Sequence, residues 1–285
     1  SANDIQSSCE LFLSKGGARP QAPRIAAKRA LLDPQCNSAD GSGADFPIHQ
    51  NTGRPALTLP FTLTCQPPHL LAAFDAPQSM LSWSITKPGF QVARRVVWLE
   101  VRNADLPPSM DPVAGIGRLM EGAGFADAIC LVTSRDVMRH HVGQSTVEGI
   151  TATCLATVGL SNGERVGQRC TEPVPLPGTI NVLVHVSEPL AQSAFVETVS
   201  IATEARTTAI LDSGTRRAGV AVTGTGTDCI VVAAPDGANG VPFAGLHTAI
   251  GEAVGDAVYR TIREGVAVWQ GGWGAAMARR RPAAE

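Results

Sequence analysis

Six apolar residues recur at every fourth or so position near the end of this chain: Leu246, Ile250, Val254, Val258, Ile262 and Val266. That spacing predicts a helix over about 246–268 with a continuous apolar stripe, which must be covered by another element. A second long helix is predicted from about Glu188 to Asp212. Ser187 is its cap candidate, and Phe195, Val199, Ala202 and Ala209 fall near one face. The covering surface comes from strand-like runs. "LTLPFTLT" from Leu57, "SMLSWSIT" from Ser79, "VARRVVWLEV" from Val92, "DAICLVTS" from Asp127, "GITATCLATVGLS" from Gly149 and "TINVLVHV" from Thr179 are rich in β-branched residues. "DPVAGIGRLMEGAG" reads as a short helix with Asp111 as N-cap and Pro112 at its first position. Strands followed by helix, strand and helix predict a layered α/β or α+β fold, a sheet core with long amphipathic helices packed on it.

The flanks read differently. Residues 1–55 mix Gly, Pro, Ser, Asn and Asp, as in "GGARPQAPR" and "NSADGSGADF", and predict an irregular extension with at most a short helix at Ile25 to Leu32. Residues 56–270 form the domain, and 271–285 a tail outside its core. The chain has 285 residues, with 23 Lys and Arg against 25 Asp and Glu, a formal charge of −2. That balance argues against a nucleic-acid binder or a polybasic membrane-surface protein. No run approaches the ~20 apolar residues of a membrane span. The N-terminus has no basic region followed by an apolar one, so no signal peptide is expected. None of the seven cysteines forms a C-x-x-C pair. Cys130, Cys154 and Cys229 lie in apolar strands as buried, inert thiols, which fits a reducing, cytoplasmic compartment.

Four constellations carry possible chemistry. Asn162 ends an apolar strand, where its amide can face a developing oxyanion. Ser161-Asn162-Gly163 is also a plain hairpin turn. Thr179 follows Gly178 at the end of a Pro-rich loop. A hydroxyl placed there suits a self-cleaving hydrolase, whose freed α-amine would serve as base; a loop-to-strand boundary is the plain alternative. "TGTGTD" places Thr223, Thr225, Thr227 and Asp228 in a loop that can form an anion-binding nest or merely a tight polar turn. Glu204, His247 and Glu252 are charged or titratable groups near the helices, with solvated or backbone-satisfied roles as alternatives. His140-His141 is a poor metal pair because adjacent rings point apart, and His185 reads as a hydrogen-bonded, partly buried strand residue.

The ordered run "ATVGLSNGERVG", "PGTINVLVHVSEPL", "ATEARTTAILDSG", "TGTGTDCIVVAAP" and "FAGLHTAIGEAVGDAVY" resembles the adenosylcobinamide amidohydrolase family of corrinoid salvage, over about Leu57 to Val268. The resemblance implies hydrolysis of the amide that joins the corrin ring to its aminopropanol arm, giving adenosylcobyric acid and 1-amino-2-propanol. It implies no cofactor: the cobalt corrinoid is the small-molecule substrate. A fainter resemblance links "TVGLSN", "GTINVLVHVSEPL" and "TGTGTD" to the self-cleaving L-aminopeptidase/D-esterase family, and with it an αββα arrangement of the N-terminal-nucleophile kind. On that basis Thr179 is the nucleophile, Asn162 stabilises the oxyanion, and Thr225, Thr227 and Asp228 orient the attacking group. The rival reading has a carboxylate such as Glu204, or else His247, activate water directly. A different amide or peptide hydrolase of the same architecture and a non-catalytic corrinoid-binding protein remain open. An exposed face on the long apolar helices would favour a homo-oligomer.

Overall fold

A computed structural model describes residues 57–102, 105, 111–168 and 178–278, with side chains to 272. The extension before 57, the Pro-rich segment before Gly178, and Cys9, Cys36 and Cys170 lie outside the described residues. The chain divides into two units, 1–57 and 58–285, and all that follows concerns the second.

Among its described residues are twelve strands and three α-helices. They are β1 (Thr62–Gln66), β2 (His69–Ser82), β3 (Gly89–Glu100), α1 (Pro112–Gly122), β4 (Ile129–Thr133), β5 (His140–Val147), β6 (Ile150–Val158), β7 (Gly163–Glu164) and β8 (Ile180–Val186). Then come α2 (Gln192–Asp212), β9 (Arg216–Arg217), β10 (Val220–Ala221), β11 (Gly224–Thr225), β12 (Cys229–Pro235) and α3 (Ala249–Ala278). Eight strands form one mixed sheet in the order β4-β3-β2-β12-β8-β6-β5, with β1 paired to β2. The β3/β4 and β8/β12 pairs are parallel and the rest antiparallel, as their connections demand: each parallel pair is joined through a crossover containing a helix. With three helices packed on this sheet, the fold is α+β.

The burial pattern shows how the sheet is layered. All seven residues of β8 are buried, as expected of a strand covered on both faces. Ile180, Val182, Val184 and Val186 face α2 and α3 together with Ile230, Val232, Ala156 and Val158, where they meet Ile250, Val254, Val258, Ile262 and Val266. The alternate residues Leu183, Leu155 and Val231 join a second core with Leu70, Met80, Val96, Trp98 and Leu131 from the other half of the same sheet. The two halves meet because β2 bends: its pairing with β3 breaks register between Ala73 and Gln78. Asn181 Nδ2 of β8 then donates to Val132 O of β4 at 2.7 Å, although three strands separate them in the sheet order. A third core, with Val97, Leu99 and Cys130 against Ile116 and Met120, seats α1 on the outside. The layers are therefore α2/α3, sheet, folded-over sheet and α1, the αββα form of the expectation.

Asp111 caps α1 by accepting from Val113 N at 3.0 Å, with Pro112 at its first position. Other boundaries differ from expectation. Leu57 to Phe61 is not strand, and β2 begins ten residues before Ser79 because its first half pairs with β1 and β3. α2 starts at Gln192 rather than Glu188: Ser187 Oγ accepts from Thr151 N at 2.9 Å instead of capping, and Leu190 bridges Val241. α3 starts after Leu246, which is 68% exposed, because Thr248 Oγ1 takes Gly251 N at 3.0 Å as an N-cap. It runs on through Gly271 to Ala278. β5 has no apolar run to mark it in the sequence; its His140 Nδ1 donates to Val137 O at 2.8 Å, while His141 turns to Glu264 on α3. Among the described residues no helix is long and apolar enough to cross a membrane.

His185 is buried on β8, and its Nε2 lies 3.1 Å from Gln78 Oε1. Gln78 donates its own amide to Ala76 O and Pro77 O, so the imidazole carries the proton of this bond. Burial pushes its pKa down from 6.5 to about 4. Between those values the unfolded chain binds a proton that the folded chain refuses, so folding stability must fall with the pH. The expected loss on going from pH 7 to pH 4 is on the order of 3 kcal/mol from this group. Urea unfolding across that range should show it, and the His185→Gln variant should flatten the slope.

Candidate active site

The mixed sheet gathers four chain segments at one edge. β8 and β12 are parallel, so both begin there. β2 and β6 run antiparallel to them, so both end there. Gly178-Thr179 enters β8, Thr225 to Asp228 enters β12, and Gly159 to Asn162 leaves β6. Asn162, Thr179, Thr225, Thr227 and Asp228 are thereby brought together from positions scattered along the sequence.

Thr179 is 4% exposed. Its Oγ1 donates to Thr227 O at 2.8 Å and accepts from Thr227 Oγ1 at 3.0 Å. The Thr227 hydroxyl also stands 3.4 Å from Gly178 O. One hydroxyl thus touches both the candidate nucleophile and the carbonyl of the preceding peptide bond. Gly159 N donates to Thr179 O at 2.9 Å and fixes the strand's entry. Gly178 is required by close approach: a Cβ there would lie 2.8 Å from Ser161 N and 3.0 Å from both Asn162 Oδ1 and Gly159 O. Asn162 is buried within the turn closed by Gly163 N to Leu160 O, the turn its sequence also suggests, and its Oδ1 lies against Gly178. Its Oδ1 has no hydrogen-bond partner among the described residues.

Asp228 organises the other side. Its side chain is 7% exposed and pairs with Arg206 Nη1 at 2.9 Å. It also accepts from Thr225 N at 2.9 Å, from the Thr225 hydroxyl, and from Ile180 N at 3.1 Å. Burial pushes this carboxyl above its usual range, while Arg206 and the Thr225 and Ile180 donors pull it back. The expected anion nest is therefore filled from within: Thr225 N serves Asp228, and Thr223 N serves Glu164 O at 2.8 Å. Gly224 leaves room for the carboxylate, since a Cβ there would come within 2.7 Å of Asp228 Oδ2. Thr223 accepts from Val166 N and so ties β11 to the loop after β7. A cavity of about 600 Å³ opens over the carboxylate, between Thr203, Arg206 and Thr207 of α2 and the β7/β11 ribbon.

Three sequence candidates are not part of the cluster. Glu204 is exposed; it lines this cavity, but its Oε1 takes the Ser200 hydroxyl at 3.2 Å and touches none of the clustered residues. His247 is exposed in the turn before α3. That turn hangs from the far end of β12, where Ala191 N binds Val241 O and Ser193 binds Pro242 O, and Glu252 lies at the same far end. β12 separates them from Asp228 by its whole length. Arg206 went unrecognised in the sequence. The available signal was its position four after Ala202 and three before Ala209, which puts a cation on the buried stripe of α2. Among the described residues no group of three His, Cys, Asp or Glu could hold a metal ion.

A hydroxyl beside a carbonyl, a carboxamide and a buried carboxylate is the equipment of acyl-transfer chemistry. The family of adenosylcobinamide amidohydrolases matches residues 58–272, the whole of the sheet with its helices, and the chain belongs to that family. It is also 36% identical over 90 residues to the uncharacterized protein MJ1613 of Methanocaldococcus jannaschii, a match to 30% of this chain and 35% of that protein. The PH0078 protein from Pyrococcus horikoshii OT3 is a structural neighbour at a TM-score of 0.38 and 10% identity, covering 76% of this chain and 81% of its own.

Removing one member of a buried ion pair leaves the other uncompensated. Arg206→Met is expected to lower unfolding free energy by about 3–5 kcal/mol in urea titrations. Adding Asp228→Asn should recover part of that loss, a non-additivity measurable as a double-mutant cycle.

Proposed function

We propose that the protein hydrolyses the amide between the corrin ring and the aminopropanol arm of adenosylcobinamide, giving adenosylcobyric acid and 1-amino-2-propanol in cobalamin salvage. The observation that carries this reading is the family match over residues 58–272, a span that contains every residue of the cluster. The corrinoid is substrate, its cobalt is the ligand's own, and the proposed reaction calls on no further cofactor. Cys130, Cys154 and Cys229 are buried free thiols pushed up to about 12, which fits a reducing, cytoplasmic setting.

In the proposed mechanism Thr179 is the nucleophile. Maturation comes first: Oγ1 attacks the Gly178 carbonyl carbon, the Gly178–Thr179 C–N bond breaks, and the Thr179 nitrogen takes the proton. Water then hydrolyses the resulting ester, leaving a Gly178 carboxylate and a free Thr179 amine. Thr227 Oγ1, within reach of both Gly178 O and Thr179 Oγ1, supports the charge that develops on the carbonyl oxygen. In catalysis the amine accepts the hydroxyl proton while Oγ1 adds to the substrate carbonyl. The Asn162 carboxamide supports the oxyanion, aminopropanol departs with the proton, and water releases the corrinoid acid. Asp228 holds Ile180 and Thr225 and so keeps both strand mouths in place.

Incubation with adenosylcobinamide, followed by chromatography and mass spectrometry, should release adenosylcobyric acid with stoichiometric aminopropanol. A folded protein that leaves the substrate intact would overturn the reading in favour of another amide substrate or of corrinoid binding without turnover. Asn162→Ala is expected to lose about 10²–10³ in kcat. Intact-mass measurement should find the wild type cut at Gly178–Thr179 and Thr179→Ala as a single inactive chain. An uncut wild type together with a fully active Thr179→Ala would remove Thr179 from the mechanism.

A further inference from the structure

Trp83 follows directly on β2 at the edge where the site lies, and it is 47% exposed. Tryptophan carries a large apolar surface and is strongly buried on average, so an indole left half in water at the rim of a site calls for an explanation. This one is exposed but not loose. Its Nε1 donates to Asp228 O at 2.7 Å. Its neighbours on either side, Ser82 and Ser84, are buried, and Ser84 Oγ donates to Cys130 O at 2.7 Å. The residue is held by two buried flanks and one hydrogen bond, with its polar atom satisfied and about half of its surface open to solvent.

Its position relative to Thr179 follows from strand geometry. Thr227 and Asp228 are consecutive, and their carbonyls point to opposite sides of the chain entering β12. Thr227 O turns to β8 and takes the Thr179 hydroxyl; Asp228 O turns to β2 and takes the Trp83 indole. Thr179 and Trp83 therefore lie on the two strands that flank β12, two strand spacings or about 10 Å apart across the sheet, and further apart along it. A small amide bound at Thr179 would not reach that far. A broad, flat ring carrying the scissile arm would.

We infer that Trp83 is a binding platform for the conjugated ring of the substrate, a contact residue separate from the Thr179 chemistry and fixed to it through the Asp228 main chain. This rests on the corrinoid reading above. The ligand class is a flat, conjugated macrocycle with apolar faces, which an indole covers at little cost in side-chain entropy. Among the other tryptophans whose side chains are described, Trp98 is fully buried and Trp269 nearly so, and neither offers such a face.

The test compares wild type, Trp83→Ala and Trp83→Phe as full-length protein in steady-state hydrolysis of adenosylcobinamide, with circular dichroism and thermal melts to check the fold. Stacking of a flat ring on an aromatic side chain sets the scale. Trp83→Ala is expected to raise KM roughly ten- to a hundredfold with kcat nearly unchanged, and Trp83→Phe to recover most of the loss. In the wild type, cobinamide should quench tryptophan fluorescence saturably, and the quenched fraction should shrink in Trp83→Phe. A wild type that turns over while Trp83→Ala keeps its KM within about twofold overturns the platform and leaves the reaction standing. A fall in kcat at unchanged KM also overturns it, since Trp83 would then act only by bracing Asp228. A folded wild type that neither binds nor hydrolyses the corrinoid overturns the reaction, and the platform with it.

Discussion

The buried carboxylate of Asp228 is the contact on which the site depends. An ionised carboxyl taken out of water costs several kcal/mol unless donors replace the lost solvent. Here they come from three elements: a guanidinium from α2, a backbone N–H from the first residue of β8, and a backbone N–H and hydroxyl from Thr225, the last residue of β11. Each donor has a direction, so satisfying all of them fixes the mouths of β8 and β12 against each other and against the last turns of α2. Gly224 permits this by leaving the space beside Oδ2 empty. Each of its two oxygens is engaged by two donors, so the carboxyl is held in one orientation.

The mixed sheet explains why so many segments meet there. An all-antiparallel sheet would bring hairpins to an edge, each contributing neighbouring residues. The β8/β12 parallel pair instead brings two strand starts side by side, and their antiparallel neighbours bring two strand ends. Residues 83, 162, 179 and 228 become neighbours on one rim. The bend in β2 folds the sheet onto itself and buries both faces of β8 and β12, so the rim rests on strands with little freedom to move.

Much of this is legible in the sequence where burial and periodicity coincide. The Ile250 to Val266 stripe and the "TINVLVHV" run are buried as their patterns predict, because nothing competes with the hydrophobic term there. Boundaries fail where a local polar contact wins. Ser187 looks like a cap but is used by Thr151, and Leu246 continues the spacing but lies outside the turn that Thr248 closes. β5 is invisible because "HHVGQSTV" owes its strand to pairing with β6 rather than to its own composition. At the cluster, the hydroxyls, Asn162 and Asp228 lie in ordered motifs. His247 has the chemistry of a proton carrier, and only the direction of β12 shows that it stands at the opposite end from them. Arg206 is hard to see because most helix cations are solvated, although its spacing from Ala202 and Ala209 puts it on the buried face.

A hydroxyl at 4% exposure sits where few waters compete for its hydrogen bonds, and each contact around it counts for more than it would at the surface. The space over Asp228 is lined by threonines, Val166 and charged side chains, and Thr179 stands outside it. Under the proposed reaction, surface beyond that space can also help to tell a bulky ring-borne amide from an ordinary peptide. Trp83 reaches the Asp228 main chain and keeps about half of its surface in water. Binding energy gained on that face would be realised away from the breaking bond, where it can hold the arm's carbonyl against Thr179 without adding bulk to the catalytic cluster. The division between a dry, hydrogen-bonded Thr179 and a half-exposed Trp83 goes with the opposite directions of two consecutive carbonyls at the start of β12.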